Sequence, residues 1–505
     1  MLLRSSFLNA LALGLLTSLI SNAHSAGWWQ LLILALFWRL IDRHHFHGGA
    51  YQAKLGWCFG FAYFGHSLWW IYVSLHDVGG MPFWMASTGV VIFAGFLALF
   101  PMMATWIGSR FYSQSYSAIA WASAWTLLES LRGHILTGFP WVGFGDPQVN
   151  GPFMGLIPIF GVLGATFATM WGAYKIGSAP GRLFLPLFSL GFAILLASFF
   201  NNSNYTKPLG SMLEVRLLQG NFPQTLIYDE KALLRQDEYY LTHLTEKITD
   251  LVVAPETAIT IPENNLPENW SDHLKDFSKN TNTHILTGII GFDHDQYANQ
   301  ARGFSPSDPV YKYTKAHLVP FGEYIPPGFL WFVRAIQAPL SQFQKGTFDQ
   351  APFKISRPNQ PDIYGAVMIC YEDVFGSEIS ARVRDKATPA NFLINMTNLA
   401  WFGNTSAPYQ QLRLAQLRSL ETGLPTIRAT NTGVTAIINE HGQVQSQLPI
   451  FIQDSLIGSV QPRAGHTPYV LFGDAPIVVI AFLCMLMAWV QKKRSIYQPI
   501  FSMKS

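Results

Sequence analysis

The segment Tyr364-Gly-Ala-Val-Met-Ile-Cys370 runs directly into Tyr371-Glu-Asp373 and decides the fold of the second half of the chain. An apolar run of this length and composition predicts a buried strand. Cys370, at the end of the run, is the single cysteine between residues 205 and 465, so we expect no structural disulfide in this region. A thiolate is a strong nucleophile, and a thiol at a strand end beside acidic residues therefore predicts a catalytic cysteine.

Two further polar residues lie beside predicted strands. Glu256 follows Leu251-Val-Val-Ala-Pro, and Lys315 precedes His317-Leu-Val-Pro-Phe-Gly-Glu323. A carboxylate can accept the thiol proton, and a fixed ammonium can stabilise negative charge on an attacked carbonyl oxygen. Taken singly, each residue also has an ordinary structural explanation, such as packing for a buried cysteine or a helix start for a Pro-Glu pair. Together they predict a site for thiol-based acyl chemistry.

The composition divides the chain into two kinds of region. Half of the residues are hydrophobic, 12% are charged, and all but five of the 30 acidic residues lie between residues 205 and 465. This asymmetry predicts a membrane part and a water-soluble part, and the net charge of +3 then reflects membrane topology and does not indicate a nucleic-acid partner. Eight apolar stretches, of which the first two are short, are candidates to cross a hydrocarbon layer of about 30 Å; they lie near residues 7–22, 27–41, 53–75, 83–107, 116–132, 153–175, 182–200 and 468–490.

Basic residues beside these stretches predict the orientation of the chain. If eight helices alternate, nearly all of these residues fall on one side, which places both termini in the cytoplasm of a bacterial cell. We therefore predict a membrane domain at residues 1–204, a periplasmic domain at 205–465, and a final span with a cytoplasmic tail at 466–505. The first 26 residues also resemble a signal peptide, so cleavage is the alternative to their retention as a span.

The region from residue 205 to residue 465 has the pattern of an α/β fold. Short β-type runs alternate with helical segments, which favours sheets that are covered on one face by helices. The predicted strands are Leu213–Gln219, Leu251–Ala254, His284–Gly288, Tyr364–Ile369, Phe392–Asn395, Pro425–Ala429 and Val434–Asn439. The predicted helices are Glu230–Thr249, Trp270–Lys279, Val374–Asp385 and Pro408–Thr422.

The ordered trio Pro255-Glu256, Lys315 and Cys370-Tyr-Glu-Asp373 resembles the catalytic Glu-Lys-Cys set of the nitrilase superfamily. Residues 415–432 are similar to a late helix and strand of that superfamily. The combination of such a domain with a multi-span membrane part closely resembles the apolipoprotein N-acyltransferase family over nearly the full length. Further matching segments are Glu129-Ser-Leu-Arg132, Gly138-Phe-Pro-Trp141 and Gln219-Gly-Asn-Phe-Pro-Gln224.

The resemblance implies a polytopic α-helical membrane domain of about eight spans and an α/β, nitrilase-like αββα sandwich. It implies that Glu256 is the general base, Lys315 stabilises the oxyanion and Cys370 is the nucleophile. Glu323 and Glu372 are candidates to orient Lys315 or the incoming amine.

Three further positions follow from the same comparison. The backbone N–H of Tyr371 is a candidate second oxyanion donor. Tyr228 takes the place of a tryptophan that is common in the family, and Asn299, in a predicted loop at 291–311, is the candidate for an expected asparagine. We expect no cofactor and no metal, because no residues near the trio have metal-ligand spacing.

Two apolar segments predict access for a lipid. Residues 329–343 include Trp331 and Phe332 and are interpreted either as an arm that dips into the outer leaflet or as a strip packed on the domain. Trp401 and Phe402 are candidates for a second lid.

Glu129 and Arg132, near the end of a predicted span, have two interpretations. At a spacing of three they can form an ion pair that pins the membrane domain. Ionisable residues in membrane spans also often have a function, which here would be contact with a phospholipid head group.

We predict transfer of a fatty acyl chain from a phospholipid, through a Cys370 thioester, to the α-amino group of the diacylglyceryl-cysteine of an apolipoprotein. The partners are therefore a phospholipid donor, a diacylglyceryl apolipoprotein acceptor and the bilayer. The lipid and the lipoprotein are implied by the family resemblance, whereas the residues alone indicate thiol-based acyl chemistry beside a membrane. The alternatives are a membrane-anchored amidase that uses water as acceptor, and a transporter or sensor without thiol reactivity.

Overall fold

The computed structural model describes residues 2–502 apart from 22, 24, 113–115, 179–183, 202–203, 225–228, 294, 329, 331–341 and 385–386. The chain divides into two compact units. One contains residues 1–72, 83–203 and 472–505, and the other contains residues 73–82 and 204–471. The short segment 73–82, which lies between two apolar stretches of the sequence, therefore groups with the larger α/β unit.

The first unit is helical, and each apolar stretch predicted from the sequence contains a helix. Its helices are α1 (Leu2–Ile20), α2 (Ala26–Arg43), α3 (Gly49–Ser67), α4 (Trp70–Val73, which ends at the boundary of the unit), α5 (Phe83–Leu97), α6 (Leu99–Ser109), α7 (Ser117–Arg132), α8 (Ile157–Gly177) and α9 (Phe184–Asn201), and a final helix, Ala475–Ser502, closes the chain.

Within the described ranges, three helical segments are long and apolar enough to cross a membrane, namely Phe83–Ser109, Met154–Gly177 and Ala475–Lys493. Two shorter apolar helices lie at Ser5–Ile20 and Phe188–Phe200. The predicted stretch near 53–75 is divided between α3 and α4. These helices are consistent with a membrane protein.

Small residues set the packing of the helical unit. A Cβ atom added to Gly56 would lie 2.1 Å from Thr105 Oγ1, and one added to Gly60 would lie 2.9 Å from Pro101. The backbones of α3 and α6 are therefore in close contact, as small residues permit between helices in membranes.

The second unit is built on two β-sheets. The strands of the first sheet are β2 (Leu213–Gln219), β3 (Leu251–Val253), β4 (His284–Asp293), β5 (Gln296–Phe304), β6 (Tyr311–Thr314) and β13 (Asp454–Val460). Those of the second are β7 (Phe353–Ile355), β8 (Ile363–Ile369), β9 (Phe392–Thr397), β10 (Thr426–Thr430), β11 (Ala436–Ile438) and β12 (Val444–Gln447). The first sheet has the order β13-β2-β3-β4-β5-β6, and the second has the order β12-β11-β10-β9-β8-β7. A short pair, β1 (Thr206–Pro208) with β14 (Arg463–Gly465), joins the two ends of this region of the chain.

The two sheets pack face to face around one apolar core. Alternate residues of the strands contribute to it, because successive side chains of a strand point to opposite faces. Examples are Val215 and Leu217 from β2, and Val367 and Ile369 from β8, all of which are buried.

Helices cover the outer faces of the sheets. On the first sheet these are α10 (Glu230–Leu244) and α11 (Asp272–Thr281), which bury Tyr240, Leu244 and Leu274 against it. On the second sheet they include α12 (Gly376–Val383) and α13 (Ala407–Thr422), with Ile379 and Val383 in the core. A further short helix, α14 (Pro468–Phe472), precedes the final helix, α15 (Ala475–Ser502). The layers are thus αββα.

One local prediction was wrong. The region 291–311 is not a loop, because β4 extends to Asp293 and pairs in antiparallel register with β5, so that Ile290 lies opposite Asn299. β5 alternates polar and small residues and lacks an apolar run, and its burial comes from the sheet partners on both sides. This strand places Asn299 inside the sheet.

Candidate active site

Cys370 lies at the sharp turn between β8 and a 3₁₀ turn, Cys370–Val374. Its φ is +51°, in the left-handed region that costs a non-glycine residue about 1–2 kcal/mol. Strained residues of this kind are concentrated at functional sites, where the surrounding structure holds them in place. Cys370 is partly exposed.

Glu256 and Lys315 are provided by the other sheet. Glu256 follows β3 closely, and Gly288 on β4 allows this approach because a Cβ atom there would lie 2.4 Å from Pro255 O. Lys315 follows β6 directly, and its backbone N–H donates to Asn299 O over 2.9 Å. The edge where these strands end thus faces the turn that carries Cys370, as the electrostatics of the three groups also indicate.

A buried polar cluster surrounds the ammonium of Lys315. Its Nζ donates to Glu256 Oε1 at 3.1 Å and to Glu323 Oε1 at 2.9 Å. The Asn299 amide Nδ2 donates to the same two oxygens, at 2.7 and 2.8 Å respectively. Lys315 is only 1% exposed, so the two carboxylates supply the charge that its burial requires.

The cluster changes the proton affinities of the cation and of the thiol. Burial alone lowers the pKa of Lys315, but Glu256 and Glu323 outweigh burial and raise it above its ordinary value, so the side chain stays charged. Burial and, after it, the Glu256 carboxylate raise the pKa of Cys370 well above its ordinary value, although Lys315 lowers it. Cys370 is therefore a thiol at rest, and a thiol needs a base to act as a nucleophile.

Glu372 lies in the turn that carries Cys370 and is fully buried. Its buried carboxylate accepts hydrogen bonds from the backbone N–H of Ala316 at 2.8 Å and of Ile369 at 2.8 Å. Arg382 donates to it at 2.9 Å, and this cation lowers the pKa of Glu372 even though burial raises it. Glu372 therefore ties the turn of Cys370 to the segment that follows Lys315. Glu323, in contrast, contacts Lys315 directly.

The loop that carries Trp401 and Phe402 begins at a contact with Glu256. The backbone N–H of Asn398 donates to Glu256 Oε2 at 2.9 Å. The loop continues into a 3₁₀ turn, Ala400–Phe402, in which the Trp401 side chain is 38% exposed. An apolar side chain thus stands at the surface, three residues from a direct contact with Glu256.

Three predicted residues cannot be placed. Tyr228, Trp331 and Phe332 lie outside the residues that the structure describes. Tyr371 follows Cys370 directly and is buried against His317 and Phe375.

Glu129 and Arg132 lie in the helical unit and form an ion pair with N···O 3.7 Å. Arg132 donates to the carbonyls of Phe139 and Trp141 at 2.6 and 2.8 Å, and Glu129 accepts from the N–H of Phe144 at 2.8 Å. Both side chains thus hold the loop after α7, which favours the structural interpretation of this pair.

A second buried cluster behind Cys370 was missed in the sequence. Arg428, which is fully buried, donates to Asp373 Oδ2 at 3.1 Å and to Gln411 Oε1 at 2.9 Å. Burial raises the pKa of Asp373 to about 6 against the opposing effect of Arg428. A signal was present, because Gln411 and Arg418 are seven residues apart on α13 and therefore share the buried face of that helix.

Comparisons with known proteins agree with this architecture. The family model "Apolipoprotein N-acyltransferase N-terminal domain" matches residues 13–174, and the model "Carbon-nitrogen hydrolase" matches residues 215–469. The chain is 38% identical to the apolipoprotein N-acyltransferase of Ralstonia nicotianae, over 93% of this chain and 90% of that protein. It is 36% identical to that of Nitrosomonas europaea, over 90% of each chain. A solved CN-hydrolase superfamily structure from Xanthomonas campestris covers 50% of this chain and 91% of its own, with 16% identity and a TM-score of 0.37.

Proposed function

This chain belongs to the apolipoprotein N-acyltransferase family, and from that premise we propose that it transfers a fatty acyl chain from a phospholipid to the α-amino group of the diacylglyceryl-cysteine of an apolipoprotein, through a thioester on Cys370. This reaction is the final step of bacterial lipoprotein maturation. The observation that carries the proposal is the buried Glu256–Lys315 pair, with N···O 3.1 Å, beside a partly exposed thiol.

In the first half-reaction Glu256 accepts the proton of Cys370 while Sγ attacks the ester carbonyl carbon of the phospholipid. The carbonyl oxygen becomes an oxyanion, which the Lys315 ammonium and the backbone N–H of Tyr371 stabilise. Collapse of this intermediate breaks the C–O bond, and Glu256 returns the proton to the departing glycerol oxygen. The products are the Cys370 thioester and a lysophospholipid.

In the second half-reaction the neutral α-amine attacks the thioester carbonyl. Its nitrogen loses a proton to Glu256, the C–S bond breaks, and the same proton restores the Cys370 thiol. Glu323 supports this exchange because it holds Lys315 charged while Glu256 changes its protonation state.

Water competes with the amine, so a transferase must shield its thioester. Trp401 and Phe402 supply apolar surface on a loop that is hydrogen-bonded to the base through Asn398. We assign to Trp331 and Phe332, on sequence grounds, the same exclusion of water and the admission of lipid from the membrane.

The test is the fate of the acyl-enzyme. Full-length protein in phospholipid nanodiscs should gain one fatty-acyl mass on Cys370, as measured by intact-mass spectrometry and peptide mapping. A diacylglyceryl-cysteinyl peptide with a free α-amine should discharge it, whereas the N-acetylated peptide should not. Rapid decay to free fatty acid with or without peptide would identify a hydrolase, and the absence of any mass gain would favour a binding protein.

The arrangement in the membrane belongs to the same proposal. The apolar helices and the bacterial relatives support a membrane protein of the inner membrane, and the basic residues in alternate loops support about eight spans. We assign residues 1–204 to the membrane domain, 205–465 to a periplasmic catalytic domain, and 466–505 to the last span and a cytoplasmic tail. Both termini then lie in the cytoplasm.

A further inference from the structure

The carbonyl of Cys370 is held by a side chain from α13. Gln411 Nε2 donates to Cys370 O at 3.1 Å and to Asp373 Oδ1 at 3.2 Å. Gln411 is fully buried, so these hydrogen bonds do not compete with water. The contact lies at the residue whose φ of +51° is the strained point of the turn.

The orientation of the Gln411 amide is fixed by its neighbours. Arg428 donates to the Gln411 oxygen at 2.9 Å, and a guanidinium cannot accept a hydrogen bond. The amide nitrogen must therefore face Cys370 O and Asp373. Arg428 also donates to Asp373 Oδ2 at 3.1 Å and to Asn395 Oδ1 at 2.7 Å, which anchors the whole cluster to β9.

The consequence concerns the peptide between Cys370 and Tyr371. A trans peptide is planar, and its C=O and N–H point in opposite directions. A donor that fixes Cys370 O on the α13 side therefore directs the N–H of Tyr371 to the other side of the same plane. The hydrogen bond from Gln411 to Cys370 O thus sets the direction of the Tyr371 N–H, which is the candidate oxyanion donor.

We propose that Gln411 is a positioning residue for acyl transfer: by holding Cys370 O, it aims the backbone N–H of Tyr371 at the oxyanion. This inference rests on the proposed function. Gln411 does not touch the substrate and acts only through the peptide that it orients, with Arg428 and Asp373 as its supports.

The test compares two reactions of the same thiol. Acylation by phospholipid forms an oxyanion, whereas alkylation of Cys370 by iodoacetamide does not. Gln411→Met keeps the length of the side chain but loses both N–H donors. We expect it to slow acylation about 10- to 100-fold, because the N–H of Tyr371 would be misaligned, which should cost less than the removal of an oxyanion donor. Alkylation should stay within about twofold of the unchanged enzyme, since it needs no oxyanion donor.

Gln416→Ala is the matched control. It also removes an amide hydrogen bond from α13 to a backbone carbonyl, that of Gly442 at 2.7 Å, but away from the turn of Cys370. We expect both rates to be unchanged. A parallel loss of acylation and alkylation in Gln411→Met, or no loss of acylation, would overturn the inference.

A measurement on the unchanged enzyme covers the case in which Gln411→Met does not fold. The ¹³C-labelled thioester carbonyl of the acyl-enzyme should absorb at lower infrared frequency than the same thioester in water-free solvent, because donors polarise it. An unshifted band would show that no donor reaches the carbonyl and would overturn the inference alone. Failure to form any acyl-enzyme would refute the proposed function and this inference with it.

Discussion

Replacement of Glu256 by glutamine removes the proposed base and its negative charge at nearly constant size. Among the residues that the structure describes, the hydrogen-bond partners of the carboxylate are all donors: Lys315 and Asn299 at Oε1, and the backbone N–H of Asn398 at Oε2. A glutamine must therefore place its NH₂ group against a donor in either orientation. The lost hydrogen bond to a charged acceptor predicts a destabilisation of about 1.5–3 kcal/mol in the free energy of unfolding.

The chemistry of Glu256→Gln is expected to change in two opposite directions. Acylation of Cys370 by phospholipid should fall by about 10²–10⁴, because the proton acceptor is gone. Burial and then the Glu256 carboxylate raise the pKa of Cys370, so removal of that charge should lower this pKa. The equilibrium fraction of thiolate should rise, and alkylation by iodoacetamide at pH 8 should be as fast as in the unchanged enzyme or faster.

Intact-mass spectrometry can follow both reactions in full-length protein in nanodiscs. Glu263→Gln is the matched control, because it removes a carboxylate of the same domain that is paired with Arg302, away from the thiol. Acylation by Glu256→Gln within about tenfold of the unchanged enzyme would refute the assignment of the base. A decrease in alkylation that matches the decrease in acylation would show instead that the substitution distorts the thiol.

Three further outcomes are expected. Lys315→Ala should slow acylation by about 10²–10³, because an oxyanion donor is lost. Lys354→Ala, the control, removes a partly exposed ammonium paired with Asp362 and should not slow acylation. Equal rates in the two variants would exclude Lys315 from the reaction. Alkylation of Cys370 should increase about tenfold per pH unit between pH 6 and pH 9, because its pKa is raised above the ordinary value and the thiolate fraction grows throughout this range; a plateau near pH 7 would indicate a preformed thiolate. A fluorescent protein fused after Ser505 should fluoresce in the cytoplasm, and a periplasmic reporter inserted at Asn204 should be active, since basic residues mark alternate loops; the reverse pattern would contradict the proposed topology.

The strands around Cys370 could be predicted because they are apolar on both faces. β2, β8 and β9 are buried between a second sheet and a helix, so their sequences contain continuous hydrophobic runs that stand out from their surroundings. The predicted nitrilase-like sandwich is confirmed by the two packed sheets and by the match to the carbon-nitrogen hydrolase family. β5 and β6 could not be found by the same criterion, since neither sequence contains a continuous apolar run.

The polar network of the site was less accessible to prediction. Glu256, Lys315 and Glu323 were identified because they follow recognisable segments, and the structure brings them within hydrogen-bond distance of one another, although their roles stay predictions. Asn398 contacts Glu256 through its backbone, which no side-chain pattern can indicate. Gln411 and Arg428 were missed because a buried polar residue resembles a surface residue until its partners are known.

The candidate site draws its base and its cation from one β-sheet and its thiol from the other. Neither sheet alone brings Glu256 and Lys315 to Cys370, so the candidate site forms only when the sandwich closes. In a chain that is still folding, Cys370 is therefore an ordinary cysteine with a distant carboxylate. By the proposed mechanism acylation needs both halves in contact, so we expect the newly made protein to take up no fatty acyl chain before its fold is complete.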